Sequence, residues 1–148
     1  MAKQLNRIIK FIEKGVKEAE NAPLQNLGKF TNHNWRPVRG MLEYPGVYVI
    51  YQEKRKQPLY IGSAGKGGHY LKYRIADLFY FGNGRYKFKH TLTEKLLDKL
   101  RRFKTIDGLR AFYIVRCGAK FIKTKTVREA RILEDVLIEL LSPKYNQE

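Results

Sequence analysis

Two short β-type runs, Val47 to Tyr51 and Leu59 to Ile61, flank a polar turn that carries Lys54-Arg55-Lys56 and ends at Pro58. Runs of β-branched and aromatic residues on either side of such a turn read as an antiparallel hairpin. A third strand is expected from Leu109 to Cys117, where Asp107-Gly108 turns the chain into Phe112, Tyr113, Ile114 and Val115. The hairpin and this strand define a small sheet, and the remaining periodic segments must cover it.

Those segments are helical. Leu5, Ile8, Ile9, Ile12, Val16 and Ala19 mark one face of an amphipathic helix from about Lys3 to Glu20. Its polar face carries Lys10, Glu13, Lys14 and Lys17, and covering the core is the expected role. Residues 21–45, with Pro23, Gly28, Pro37, Gly40 and Pro45, read as a long irregular connection. Trp35 within it would pack on the domain or stack on a base. Leu71, Ile75, Leu78 and Phe79 mark a second helix over Tyr70–Phe79. Leu92, Leu96, Leu97 and Leu100 mark a third, with Thr91 or Thr93 as its cap. Thr126, with Glu129 three residues on, opens a final helix that ends by Ser142, ahead of Pro143. The fold class is α+β: a small three-stranded antiparallel sheet flanked by helices, with an extra N-terminal helix. Residues 1–44 form that helix and a connecting segment packed on a domain spanning 45–148, in one folded unit.

Charge narrows the partners. In 148 residues, 30 Lys and Arg stand against 14 Asp and Glu, a net charge of +16. Such an excess points to a polyanion, because Lys and Arg displace counterions condensed on nucleic-acid phosphates. An anionic membrane surface would satisfy the same charge, but no membrane partner is expected: Lys3, Arg7 and Lys10 interrupt the first apolar stretch, leaving neither a signal peptide nor a membrane span. The single cysteine, Cys117, excludes an intramolecular disulfide and a multi-cysteine zinc site, and reads as a small buried residue. The expected location is cytoplasmic, with a bacterial or phage origin.

One carboxylate stands out. In the final helix Ala130, Leu133, Leu137 and Leu141 define the buried face, and Glu134 lies at its edge, away from the solvent stripe of Arg128, Arg131, Asp135 and Glu139. A carboxylate there must be paired or must bind something. An ion pair with a nearby Arg or Lys is one explanation. Magnesium, which takes one carboxylate, several waters and a substrate phosphate, is the other.

The string Glu129-Ala130-Arg131-Ile132-Leu133-Glu134, followed by Leu140-Leu141-Ser142-Pro143-Lys144-Tyr145-Asn146, resembles the closing motif of GIY-YIG nucleases, that of bacterial excision repair especially. With Gly46-Val47-Tyr48 and Tyr60-Ile61-Gly62 the resemblance spans roughly residues 45–146. It implies a DNA endonuclease that uses Mg²⁺ or Mn²⁺ and leaves 5′-phosphate and 3′-hydroxyl ends. By the same resemblance the catalytic residues are Tyr48, Tyr60, Arg74, Glu134 and Asn146. Glu134 would hold the single metal and Arg74 would stabilise charge on the scissile phosphate. Tyr48 and Tyr60 would flank that phosphate, Tyr60 orienting the water and accepting its proton, and Asn146 would fix the tyrosine or a water.

Two departures follow. Many members carry His or Tyr one turn after the arginine, and Leu78 stands there. Proton acceptance then falls on Tyr60 or on another group, with Lys66, His69, Tyr73 and His90 as candidates. The stretch from Gly62 to Arg74 is also longer than in compact members, through Gly65-Lys66-Gly67-Gly68-His69, as a phosphate cradle or a neutral surface insertion. Lys66 and His69, together with Arg85, Lys87, Lys89 and His90, which interleave with Tyr86 and Phe88, are candidate nucleic-acid contacts. Repair, restriction, mobile-element homing and phage defence are compatible uses, and RNA is an alternative substrate. A catalytically weak nucleic-acid-binding module on the same fold is the alternative function.

Overall fold

The computed structural model of the chain describes residues 1–80, 90–99 and 105–146. The elements run in the order α1 (Ala2–Asn21), β1 (Gln25–Asn26), β2 (Gly46–Gln52), β3 (Tyr60–Ala64), α2 (Leu71–Phe79), α3 (Thr91–Lys99), α4 (Ile106–Arg116), β4 (Cys117–Lys123) and α5 (Val127–Leu141). Short 3₁₀ turns occupy Leu27–Phe30 and Lys66–Gly68. The sheet has four strands rather than the expected three, in the order β1-β4-β2-β3, all antiparallel. The extra strand, β1, is only two residues long and lies in the connection that reads as irregular.

The expected strand Leu109–Cys117 is helix α4 instead. Thr105 caps it by accepting the Gly108 N–H at 3.2 Å, and Asp107 sits in its first turn, where a negative charge suits the helix dipole. Leu109, Phe112 and Tyr113 are buried while Ala111 and Val115 face solvent, a spacing that fits a helix and not a pleat. High β propensity at Phe112–Val115 is overridden by capping and by this one-sided burial. The strand begins where α4 stops, at Cys117, and runs to Lys123.

Alternation along the central strands sorts the core into two layers. Tyr48, Ile50, Cys117 and Ala119 face α2, α3 and α4, with Leu71, Ile75, Leu78, Leu92 and Leu109 packed against them. Val47, Val49, Ile61 and Ile122 face α5, with Ala130, Leu133 and Leu137. Helix α1 lies over α5, where Gly15 meets Leu133 closely. Lys120 donates to the carbonyls of Ala19 and Glu20 at 3.1 and 3.2 Å, covering acceptors that the end of α1 leaves free. Cys117 is buried, and burial pushes its thiol up to about 12. Among the described residues no helix is long and apolar enough to cross a membrane.

The outer helices begin and end as their local chemistry dictates. Thr126 caps α5 by accepting the Glu129 N–H at 3.1 Å, and Ser142 ends it in a left-handed conformation before Pro143. Thr93 is not a cap: it is buried in α3, donates to the Leu78 carbonyl at 2.7 Å and accepts the Tyr113 hydroxyl at 2.9 Å. Thr126→Ala should lower the unfolding free energy by about 1 kcal/mol, measured as a shift in urea midpoint at unchanged slope.

Candidate active site

Strand β3 is an outer strand of the sheet, and helices from both layers reach it. Tyr48 projects from β2 directly opposite Gly62 of β3. A Cβ at Gly62 would run into the Tyr48 ring and its hydroxyl, so glycine there is what lets the tyrosine lie across the neighbouring strand. Tyr60, two residues earlier on the same face, stacks beside Tyr48 with ring centroids 6.2 Å apart. Arg74 from α2 is three-quarters buried, and its charge favours the ionised forms of both tyrosines.

On the opposite face of β3, Ser63 donates its hydroxyl to Oε2 of Glu134 on α5. The helix edge predicted for Glu134 is therefore a half-buried position against the sheet. Burial raises its pKa, partly offset by the Ser63 hydrogen bond and by the charges of Arg74 and Arg131. The carboxylate thus gains from any further positive charge brought to it. Among the described residues no three His, Cys, Asp or Glu cluster as a metal site. A cation here would have Glu134 as its carboxylate and would fill its shell with water and phosphate oxygens, as magnesium does.

His90 is the main correction. The sequence reading sets it on a phosphate-gripping arm, but it is fully buried. Its Nδ1 accepts the Leu92 N–H at 3.0 Å, at the start of α3. A backbone N–H can only donate, so the ring proton sits on Nε2, which donates to the Tyr48 hydroxyl at 2.6 Å. Both ring nitrogens are committed, and His90 is unavailable to nucleic acid or to a water. Arg85, Lys87 and Lys89 lie outside the described residues, as do Tyr86 and Phe88.

Asn146 acts on backbone. Its Oδ1 accepts the Ile61 N–H at 2.8 Å and its Nδ2 donates to the Ile61 carbonyl at 2.7 Å. Together with Lys144 and Tyr145, whose N–H groups bond the carbonyls of Pro58 and Leu59, it closes the outer edge of β3 and sets the position of Tyr60. Trp35 stacks on Phe79 at 5.5 Å, with the Arg110 guanidinium 4.6 Å from its ring centroid, so it packs on the domain. Leu78 is wholly buried among the core residues.

A cavity of about 130 Å³ opens beside β3, lined by Ser63, Lys66, His69, Arg74 and Arg131 among others. Gly65, which lines it, takes positive φ, as do Gly67 and Gly68 in the turn that follows. Asp77, which sequence reasoning missed, accepts from both His69 (3.0 Å) and Arg74 (3.2 Å) through Oδ2. Its position three residues after Arg74, on the same helical face, is the signal that could have revealed it. Ser63 carried no comparable signal.

Burial is also the first cause of the raised pKa values of Tyr48 and Tyr60, and Arg74 only partly counters it. Neither phenol is an easy proton acceptor at neutral pH. For His90, burial and the charge of Arg74 hold the pKa well below its ordinary value. The unfolded histidine takes up a proton as pH falls through ~6.5 while the folded one does not, so stability declines on acidification. The decline should approach about 1.4 kcal/mol per pH unit below that point. Urea unfolding at pH 7.5 and 5.5 checks this, and His90→Gln should flatten the dependence.

No protein-family model matches the chain, and no curated protein does. Among solved structures, it is similar to the GIY-YIG N-terminal endonuclease domain of UvrC from Thermotoga maritima. A point mutant of that domain bound to its catalytic divalent cation is 24% identical over 72% of this chain and 86% of that one, with a TM-score of 0.41. The same domain bound to magnesium is 22% identical over 91% of this chain and 98% of that one, with a TM-score of 0.34.

Proposed function

We propose that the chain is a GIY-YIG endonuclease that hydrolyses DNA phosphodiester bonds with one divalent cation, Mg²⁺ or Mn²⁺, held by Glu134. The observation that carries this reading is the gathering at one edge strand, β3, of Tyr60 on it, Tyr48 from the neighbouring β2, and Arg74 and Glu134 from helices on opposite faces of the sheet. Phosphodiester hydrolysis asks for a guided water, neutralised phosphorane charge and a stabilised leaving oxygen.

The chain's residues divide this work. Arg74, fixed by Asp77, presents its guanidinium to a non-bridging phosphate oxygen. Ser63 keeps Oε2 of Glu134 in place and leaves the other carboxylate oxygen for the cation. When bound, the cation neutralises phosphate charge and lowers the pKa of a water in its shell. Tyr60 orients the attacking water through its hydroxyl, and Tyr48, locked by His90, walls the site from the core side. Asn146 is a positioning residue that acts through the backbone of Ile61. Lys66 and Arg131 at the cavity add positive charge for the strand that carries the scissile phosphate.

Supercoiled plasmid, linear duplex, single-stranded DNA and RNA incubated with Mg²⁺ or Mn²⁺, and with EDTA, test the reading. DNA should be cut with metal and spared with EDTA, leaving 5′-phosphate ends. Glu134→Ala should slow cutting on the order of a thousandfold, the several kcal/mol expected of a metal-bound phosphate. Arg74→Ala should cost about 10²- to 10³-fold. Binding of DNA by wild type and Glu134→Ala with no cleavage of any substrate would point instead to a nucleic-acid-binding module.

A further inference from the structure

We infer that His69, held through Nε2 by Asp77, is the general base that takes the proton of the attacking water at Nδ1. This rests on the nuclease reading of the same site. Asp77 also accepts from Arg74, and a carboxylate has no proton to offer two donors. The ring proton of neutral His69 therefore lies on Nε2, and Nδ1 presents a lone pair. Among the described residues Nδ1 has no hydrogen-bond partner. The ring is oriented on two sides: by Asp77, whose side chain is 14% exposed, and by stacking on Tyr73 at 5.2 Å and 24°. His69 itself remains 42% exposed at the cavity that Ser63 and Arg74 also line. Solvent can reach it, and so can a phosphate seated on Arg74.

The shared Asp77 oxygen gives the pair a fixed relation. His69 lies 3.0 Å and Arg74 3.2 Å from one atom, so the base and the phosphate-binding guanidinium are set by a single carboxylate. This is the arrangement in which a buried acid orients a histidine and stabilises the imidazolium that forms. Among the alternatives, His90 has both nitrogens bonded, Tyr48 is wholly buried, and Leu78 offers no polar atom. Tyr60 is left to orient the water, since burial disfavours its phenolate.

In the step itself, the water proton passes to Nδ1 as the water oxygen bonds to phosphorus. The bond from phosphorus to the 3′ oxygen breaks, that oxygen takes a proton from solvent, and the imidazolium returns its proton to solvent. The charged and titratable groups around His69 are Lys66, Arg74 and Arg131 at the cavity, with Tyr73 and Asp77 in contact.

Single-turnover cleavage of duplex DNA by the full chain with Mg²⁺ tests the assignment, beside DNA affinity measured without metal. His69→Ala should cut about 10²- to 10⁴-fold more slowly while binding DNA as wild type does. His69→Gln, which can still donate to Asp77 but cannot take a proton, should be equally slow. Added imidazole should restore at least about tenfold to His69→Ala and nothing to Glu134→Ala. Wild-type rates in either His69 variant, or His69→Ala that binds DNA but gains nothing from imidazole, would overturn the inference and leave the nuclease reading standing. Wild type that cuts no DNA in either metal would overturn both.

Discussion

The contact between the Tyr48 ring and the bare backbone of Gly62 is the constraint on which the site depends. Two strands can present a bulky ring over their neighbour only if the facing residue has no Cβ. Once the ring lies flat, its hydroxyl is deep in the core and needs a donor, because an unpaired buried hydroxyl costs about 1–3 kcal/mol. His90 supplies that donor while its second nitrogen caps α3. One chain of hydrogen bonds thus ties β2 to the start of α3. A second, from Tyr113 through Thr93 to the Leu78 carbonyl, ties α4 to α3 and α2. No buried side-chain polar atom among the described residues is left without a partner.

An edge strand is usually a liability, since its free N–H and C=O groups invite pairing with another chain. Here β3 is blunted by the segment after α5: Lys144 and Tyr145 bond the carbonyls of Pro58 and Leu59 just ahead of the strand, and Asn146 clasps Ile61. The edge is nonetheless what makes the site possible. Helices α2 and α5 pack on opposite faces of the sheet, and only at its margin can Arg74 from one meet the surroundings of Glu134 from the other. A central strand would hold them apart.

Charge in the site is distributed in the same spirit. Glu134 is buried enough to favour a cation, and Asp77 is shared between two donors. Both carboxylates are therefore held in place by groups that also face the cavity. The +16 net charge of the chain acts over longer distances, drawing in a polyanion without saying how it is cut.

The sequence by itself determined the hairpin, the caps of the last helix and the edge position of Glu134, because alternation, a Thr-x-x-Glu box and helical spacing are local signals. It also placed Tyr48, Tyr60 and Arg74 in order along the chain. It misread Leu109–Cys117, where one run of β-forming residues also fits a helix and only burial chooses between them. The two-residue strand at Gln25–Asn26 was invisible because its pairing with Gly118 and Ala119 spans more than ninety residues. Tertiary structure alone decided that His90 is a buried donor and that Asn146 bonds backbone. Each of these depends on which groups meet across the fold. A polar side chain's partners are set by where distant elements converge, and no local pattern in the chain records that.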